Sequence, residues 1–180
     1  MKKKVFTLDI DEAEVSFSGI AVTFWQTAMV GFEFALALNR LYDIDLERGA
    51  DLVLSGFDAP WPHYSSPVDE RLLRYDLIDR PFGVAGLGPV ADTSDKILII
   101  SGRDAWERTD RIVDDATGRH PAGSPLAQLA AEVVTVQAFD FDPRSEHSIK
   151  PADAAYRHYD ALKALCETIL AALDLAAPEY

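Results

Sequence analysis

The chain has 180 residues, of which 48% are hydrophobic and 26% charged, and this composition predicts one folded globular domain rather than a disordered chain. Its formal net charge of -13 arises from 30 acidic and 17 basic residues, and the acidic excess is spread over both halves of the chain. Such a surface repels phosphate groups, so we expect no nucleic-acid partner and no attachment to an anionic membrane.

Cysteine content and the N-terminal sequence bear on the compartment. The single cysteine, Cys166, excludes an intramolecular disulfide, which favours a reducing compartment, and its apolar neighbours predict an inert position on a helix rather than a nucleophile. Lysines at residues 2–4 are not followed by the apolar core of a secretory signal. The longest apolar stretch, residues 20–38, contains Gln26 and Glu33, which disfavours a membrane span. We therefore expect a soluble cytoplasmic protein.

The first two predicted elements are a strand and a long helix. Residues 5–10 alternate between apolar and polar side chains, which predicts a strand with one buried face. Apolar residues then recur in steps of three and four, so we predict a helix over residues 22–42. The side chains on the opposite side of that helix are also apolar: Trp25, Met29, Phe32 and Leu36. A helix that is apolar all round indicates either the buried centre of the domain or a surface covered by a second subunit.

The middle of the chain predicts strands separated by loops. We predict a short strand at residues 51–54 and a loop at residues 56–67, where three prolines exclude a helix. Partial alternation predicts a strand within residues 70–80, and three glycines predict a loop over residues 82–89. Residues 96–101 form a short apolar run, which is typical of a strand at the centre of a sheet.

The last third of the chain predicts three helices and one strand. The helices cover residues 105–116, 126–131 and 151–176, and a strand rich in β-branched and aromatic residues covers residues 132–141. The order of elements lacks the regular alternation of strand and helix that parallel folds need. We therefore predict a single α+β domain over residues 1–180, with an antiparallel or mixed β-sheet and helices packed mainly on one face.

Two groups of acidic residues are candidates for chemistry. The first group lies at the end of the predicted first strand and consists of Asp9, Asp11, Glu12 and Glu14. It lacks the turn glycine and the third ligand position of a calcium loop, so a solvated acidic turn is the preferred interpretation. Asp140 and Asp142 share one face of a predicted strand and are a possible pair of catalytic carboxylates. Their alternation with Phe139 and Phe141 is explained equally well by a strand with its phenylalanines in the core.

Motifs for metal, phosphate or nucleophilic chemistry are missing from the sequence. The histidines are scattered, and no two have the i,i+4 spacing of a helical zinc pair: His63, His120, His147 and His158. The glycines between residues 83 and 88 are not followed by the Lys-Ser/Thr of a phosphate loop, and no G-x-S-x-G elbow occurs. We predict no metal ion and no cofactor, and the sequence identifies no catalytic residue.

The most unusual segment is the proline-rich loop around Trp61, His63 and Tyr64. Aromatic side chains held between prolines form rigid, amphipathic surfaces of the kind found at interaction hot spots. We predict that these three residues bind a partner. The alternative is an aromatic lid that closes the core beneath a long connection.

Several short segments carry a resemblance to a known family. They are Phe-Ser-Gly-Ile at residues 17–20, Leu-Asn at residues 38–39, the segment 44–48, the apolar strand 97–102 and the late strand 134–141. Together they resemble the IPExxxVDY family of uncharacterised bacterial proteins. Pro89 and Asp95 match the motif that gives the family its name, at the correct spacing. The resemblance covers residues 1–150 and leaves residues 151–176 as an additional C-terminal helix. It implies a small cytoplasmic protein with no known catalytic residues.

Three functional hypotheses follow from these patterns. The leading one is a non-enzymatic interaction or regulatory domain that forms a homodimer and has a possible protein partner, because helix 22–42 is apolar all round. A second is a hydrolase or metal-dependent enzyme that uses Asp140 and Asp142 with a histidine. A third is an acidic immunity-type protein that neutralises a basic partner through salt-sensitive binding.

Overall fold

The computed structural model of the chain describes residues 19–81, 83–84, 89–141 and 159–175. The predicted strand at residues 5–10 and the first acidic group therefore lie outside the described residues, as do Asp142 and the predicted beginning of the last helix.

A six-stranded antiparallel sheet forms the centre of the described structure. Its strands are β1 (Ile20–Thr27), β2 (Glu47–Arg48), β3 (His63–Ser65), β4 (Arg74–Asp79), β5 (Lys96–Ser101) and β6 (Val133–Phe139). Their order across the sheet is β2-β3-β4-β5-β1-β6, so β4 and β5 are the two central strands, and three of the five neighbouring pairs are consecutive in the chain. The predicted α+β class with an antiparallel sheet is confirmed.

In the described part of the chain, five helices cover the two faces of this sheet. They are α1 (Gly31–Tyr42), α2 (Pro89–Thr93), α3 (Ala105–Thr117), α4 (Pro125–Glu132) and α5 (Tyr159–Ala172). Three of them, α1, α3 and α4, pack on what we call the first face, where Trp25 and Phe34 meet with ring centroids 5.4 Å apart. The second face is covered by α5, by Ala91 of α2 and by the loop that contains Trp61. None of the helices in the described ranges is both long and apolar enough to cross a membrane.

The predicted helix over residues 22–42 is wrong in its first part. Residues Ile20–Thr27 form strand β1, and the helix begins only at Gly31. Because β1 lies between β5 and β6 with helices on both faces, seven of its eight residues are buried, and a strand buried on both faces has no alternation. Periodicity cannot distinguish such a strand from a buried helix, although its β-branched and aromatic residues favour a strand.

The predicted loop over residues 56–67 also contains structure. Residues His63–Ser65 form strand β3, which pairs with β4 and with β2 near the edge of the sheet. The predicted strand at residues 51–54 is reduced to one bridge, in which Leu52 pairs with Trp61. Pro62 and Pro67 lie on either side of β3 and do not interrupt it, so the segment between them can pair with β4.

Within the described residues, the strands predicted at 70–80, 96–101 and 132–141 and the helices predicted at 105–116 and 126–131 are confirmed with shifts at their ends, and the helix predicted at 151–176 is confirmed from Tyr159 onward. Strands β4, β5 and β6 lie within the predicted segments, and β5 is central, as its apolar run predicts. Helix α4 begins where the Ser124 side chain accepts a hydrogen bond from the Ala127 amide and Pro125 occupies the first turn. Helix α1 ends at Asp43, whose φ of 53° is left-handed, and this end of α1 borders the candidate site.

Candidate functional site

A cleft of about 660 Å3 opens on the first face of the protein. Its walls are the end of α1 and the turn after it (residues 40–45), the loop before β4 (residues 66–71) and one side of α3. Four arginines line it, and we call it the arginine cleft: Arg40, Arg71, Arg108 and Arg111. The same walls carry four carboxylates: Asp43, Asp45, Asp69 and Glu70. The lining is therefore rich in charge but balanced in sign.

Arg108 is the most buried of these charged residues. It lies on the buried stripe of α3 and is only 8% exposed. Its Nε donates a hydrogen bond to the Tyr75 hydroxyl at 3.0 Å, and its Nη2 donates to the Tyr42 carbonyl at 2.7 Å. That carbonyl belongs to the last residue of α1, where helical carbonyls lack intrahelical partners and a cation is favourable. Arg108 therefore joins α3 to the end of α1 and to β4.

Two tyrosine rings hold the guanidinium group of Arg108 from its sides. The Arg108 Cζ lies 5.3 Å from the Tyr42 ring centroid and 6.0 Å from the Tyr75 ring centroid. Burial raises the pKa of both phenols above the ordinary tyrosine value, and the Asp115 carboxylate raises the pKa of Tyr42 further. Both hydroxyls stay protonated at neutral pH, so Tyr42 donates to Asp115 at 3.0 Å and Tyr75 donates to Asp69 at 3.4 Å.

The loop wall of the cleft is fixed by its own hydrogen bonds. The Asp69 Oδ1 accepts the backbone N–H groups of Arg71 at 2.9 Å and Leu73 at 2.8 Å, which closes an Asx-type turn. At the other end of the loop, the Ser66 Oγ accepts the Tyr75 N–H at 3.0 Å and donates to the Pro67 carbonyl at 2.9 Å. The loop is therefore held in place without any ligand.

The arginines of the cleft are not neutralised by neighbouring carboxylates. Within the described part of the chain, none of the four lies at salt-bridge distance from an acidic side chain, although acids line the same cleft. Elsewhere Arg74 is paired with Asp76 at 2.8 Å, and Arg48 is paired with Asp51. Within the described ranges, the arginines of the cleft therefore have no anionic partner.

The three residues predicted to bind a partner do not form one site. Trp61 is fully buried in the core of the second face, with its ring edge-on to Phe57 at 5.3 Å between centroids. His63 is also buried on that face. Tyr64 follows it along β3 and points to the opposite face, where the Arg48 guanidinium lies 5.5 Å from its ring centroid. The location of Trp61 favours the aromatic-lid interpretation, and a binding role for His63 and Tyr64 stays a prediction.

His63 belongs to a buried ionic group with Asp76 and Arg74. The Asp76 carboxylate is fully buried, and its Oδ1 lies 2.9 Å from His63 Nε2 and 2.8 Å from Arg74 Nη2. The carboxylate accepts, so we assign the Nε2–H tautomer or the protonated ring to His63. The Asp76 Oδ2 has no hydrogen-bond partner. This group ties β3 to β4 at one end of the sheet.

A second buried ionic group lies below the beginning of α1. Lys96 is 5% exposed, and its Nζ lies 2.7 Å from Asp95 Oδ2 and 3.2 Å from Asp79 Oδ1. Burial raises the pKa of Asp79, while the Lys96 ammonium opposes that shift. The Asp95 Oδ1 accepts the Thr27 N–H at 2.9 Å, so the group also fixes the end of β1.

Of the other residues that the sequence singled out, Asp140 and Cys166 are buried and His120 contacts the backbone. Asp140 is buried, and its predicted companion Asp142 lies outside the described residues. His120 Nε2 lies 2.6 Å from the Asp115 carbonyl oxygen. Cys166 is buried in α5, and burial raises the pKa of its thiol. Across the described ranges, no cluster of three or more His, Cys, Asp or Glu side chains is suited to hold a metal ion.

The arginine cleft was not predicted from the sequence. Tyr42, Tyr75 and Arg108 come from a helix end, a strand and a second helix, so no spacing in the chain connects them. One signal was present, because Arg108 occupies a position of the apolar stripe that also contains Ala105 and Ile112. An arginine at such a position indicates a buried guanidinium with partners from other elements.

Comparisons with known proteins return no matching family model, no matching curated protein and no matching solved structure. The resemblance to the IPExxxVDY family therefore stays a prediction.

Proposed function

We propose that the protein is a non-enzymatic binding domain with an interaction or regulatory role, and that its ligand occupies the arginine cleft. The observation that carries this proposal is a preformed cavity of about 660 Å3, a volume within the range of small-molecule sites. Its walls are fixed by hydrogen bonds between Arg108, Tyr42, Tyr75 and Asp69, so little order has to be gained when a ligand enters.

The side chains of the cleft favour binding over catalysis. No histidine, cysteine or lysine is among the described residues that line it. Its one serine, Ser66, already accepts one hydrogen bond and donates another, and its two tyrosines have raised pKa values. A hydrolase would need a general base or a nucleophile in this cleft that titrates near neutral pH. The alternative of an enzyme built on Asp140 and Asp142 stays a prediction.

A ligand titration followed by NMR tests the cleft. The probes are small molecules of four kinds, namely carboxylates, phosphates, amines and neutral sugars, each added separately to the full chain. We expect at least one kind to shift the backbone amide signals of residues 66–71 and 105–111. Replacing Arg111, an exposed residue of the cleft, with tryptophan should weaken this binding, whereas Arg119→Trp, outside the cleft, should not. If no probe shifts the cleft amides, the proposal is wrong.

Self-association through α1 is a second proposed property. Val30 and Phe32 are 59% and 60% exposed, and Leu36 continues the same exposed apolar surface by one turn. Glu33 and Arg40 are exposed on either side of Leu36, seven residues apart. In an antiparallel two-fold pairing of α1 helices, Glu33 of one copy would face Arg40 of the other, so a second copy of this chain complements the surface.

The remaining expectations have support only from the sequence. A cytoplasmic location agrees with the single cysteine, and the net charge of -13 supports the alternative of an acidic immunity-type protein with a basic partner. That alternative requires binding that weakens strongly as the salt concentration rises. Membership of the IPExxxVDY family would agree with any of these roles, because it carries no assigned activity.

A further inference from the structure

We propose that the arginine cleft binds a small organic anion, whose carboxylate or phosphate group is held by Arg108. This inference rests on the proposed function, because it assigns a ligand class to the same cleft. It is carried by the state of Arg108, a buried cation that has no anionic partner among the described residues.

Two other buried charges among the described residues are matched by opposite charges. Lys96, which is 5% exposed, lies between the carboxylates of Asp79 and Asp95. Asp76, which has no exposure, accepts from Arg74 and contacts His63. Moving a charge from water into the protein interior costs on the order of several kcal/mol. A buried charge therefore normally has a partner of opposite charge.

Arg108 differs from these residues in the kind of partner it has. In the described chain, its contacts are a carbonyl oxygen, a phenol and two aromatic rings, all of them neutral. They orient the guanidinium but do not neutralise it. An anion is therefore still needed to neutralise the guanidinium charge. Arg108 lies in the wall of an open cleft, through which an anion can approach.

The guanidinium also has hydrogen-bond donors left for a ligand. It carries five N–H groups, and the described hydrogen bonds use Nε and one N–H of Nη2. No described hydrogen bond uses Nη1. Two neighbouring N–H groups of a guanidinium match the spacing of two oxygens in a carboxylate or phosphate, which gives a bidentate contact. Arg71 and Arg111 in the same walls can contribute further contacts.

The charge around the cleft limits the size of the anion. The four acidic residues of the lining balance the four arginines, and the whole chain has a net charge of -13. A polyanion such as a nucleic acid would extend beyond the cleft and meet this negative surface. A small molecule with one or two anionic groups fits inside the cavity and avoids that repulsion.

Anion titrations of the full chain test this proposal. The probes are inorganic phosphate and succinate, with ionic strength kept constant by sodium chloride, and the readouts are thermal unfolding and amide shifts of residues 105–111. We expect saturable stabilisation and cleft shifts with at least one probe, and the better probe tells whether phosphate or carboxylate is preferred. Arg108→Lys keeps the positive charge but lacks the planar guanidinium group that can donate two parallel hydrogen bonds. We therefore expect it to weaken anion binding by about tenfold or more, which corresponds to the loss of one charge-assisted hydrogen bond.

Two further variants make the outcome decisive. Arg111→Gln removes an exposed cleft arginine and should weaken binding severalfold, so it decides the test if Arg108→Lys does not fold. Arg119→Gln lies outside the cleft and should bind as the wild type does. If neither probe shifts the cleft amides while a neutral probe does, the anion proposal fails and the proposed binding site stands. If both cleft variants bind the anions as tightly as Arg119→Gln, the anion proposal is also overturned.

Discussion

Gly31, the first residue of α1, is the residue at which a side chain would cause the closest contact. A Cβ at this position would lie 1.8 Å from Asp79 Oδ2, because the Asp79 carboxylate occupies the space beside the glycine. Because Gly31 has no side chain, α1 can pack close to β4 with the Asp79 carboxylate between them.

We predict that Gly31→Ala lowers the free energy of unfolding by about 1–3 kcal/mol, as overpacking of a filled site does. Urea denaturation followed by tryptophan fluorescence measures the change. The matched control is the same substitution in an Asp79→Ala background, where the obstructing carboxylate is gone. There Gly31→Ala should be neutral or stabilising, because alanine favours a helix over glycine. Equal losses in the two backgrounds would show that the contact with Asp79 is not the cause.

Asp79 itself gives a prediction about pH. Its folded-state pKa is raised, chiefly by burial, so the folded protein favours the protonated carboxyl more than the unfolded chain does. The stabilisation from that proton is present below the unfolded pKa and is lost as the pH rises through the folded pKa. At neutral pH, the ionised Asp79 therefore lowers the free energy of unfolding relative to a neutral side chain at this position. We predict that Asp79→Asn is at least as stable as the wild type at neutral pH and loses this advantage in mild acid.

Asp95→Asn is the control for the Asp79 substitution. Asp95 lies closer to Lys96, at 2.7 Å against 3.2 Å for Asp79, and it accepts the Thr27 N–H. Its removal leaves Lys96 with the less favourable partner, so Asp95→Asn should be less stable than the wild type at neutral pH. Denaturation curves of both variants across the acid range measure these differences. A large loss of stability for Asp79→Asn at neutral pH would contradict the assigned role of burial.

At the scale of secondary-structure elements, the sequence predicted the helices and strands whose hydrophobic pattern agrees with the way their faces are buried. Strand β5 and helix α3 were found because one is a short apolar run in the centre of the sheet and the other has a single buried stripe. Strand β1 was missed because it is buried on both faces and continues almost directly into α1. Strand β3 was missed because three residues between prolines carry too short a pattern.

The candidate site was less predictable than the fold. Segment patterns report which face of an element is buried, but the arginine cleft is formed where three elements meet. Its position depends on the sheet order, in which β4 lies next to β5 although helix α2 separates them in the chain. An aromatic side chain between prolines suggested either a binding surface or a lid over the core, and Trp61 packs in the core, which favours the lid.

Cys166 provides a test of the packing of α5. Its side chain is buried against the second face of the sheet, and burial raises its thiol pKa. We predict that a thiol reagent such as Ellman's reagent labels the native protein very slowly and the guanidinium-denatured protein at once, because only an accessible thiolate reacts. Rapid labelling of the native protein, at a rate near that of the denatured chain, would show that α5 detaches readily from the sheet.

At the scale of the whole molecule, charge and apolar surface oppose each other in self-association. The exposed apolar side of α1 favours a dimer, whereas two chains that each carry a net charge of -13 repel one another. Glu33 and Arg40 are exposed in the single chain, so each of the two proposed Glu33–Arg40 pairs would contribute only about 0.2–1 kcal/mol. Net repulsion should therefore outweigh these pairs, and added salt should screen it.

We predict that the protein dimerises weakly at low ionic strength and more tightly at moderate ionic strength, as measured by sedimentation equilibrium. Phe32→Ser removes a side chain that is 60% exposed at the proposed interface and should shift the equilibrium to the monomer at every salt concentration. Val53→Ser removes an apolar side chain that is 81% exposed elsewhere and should leave dimerisation unchanged. A strict monomer at high concentration and moderate salt would exclude the dimer. Equal effects of the two substitutions would instead exclude α1 as its interface, because loss of exposed apolar surface anywhere would then explain them.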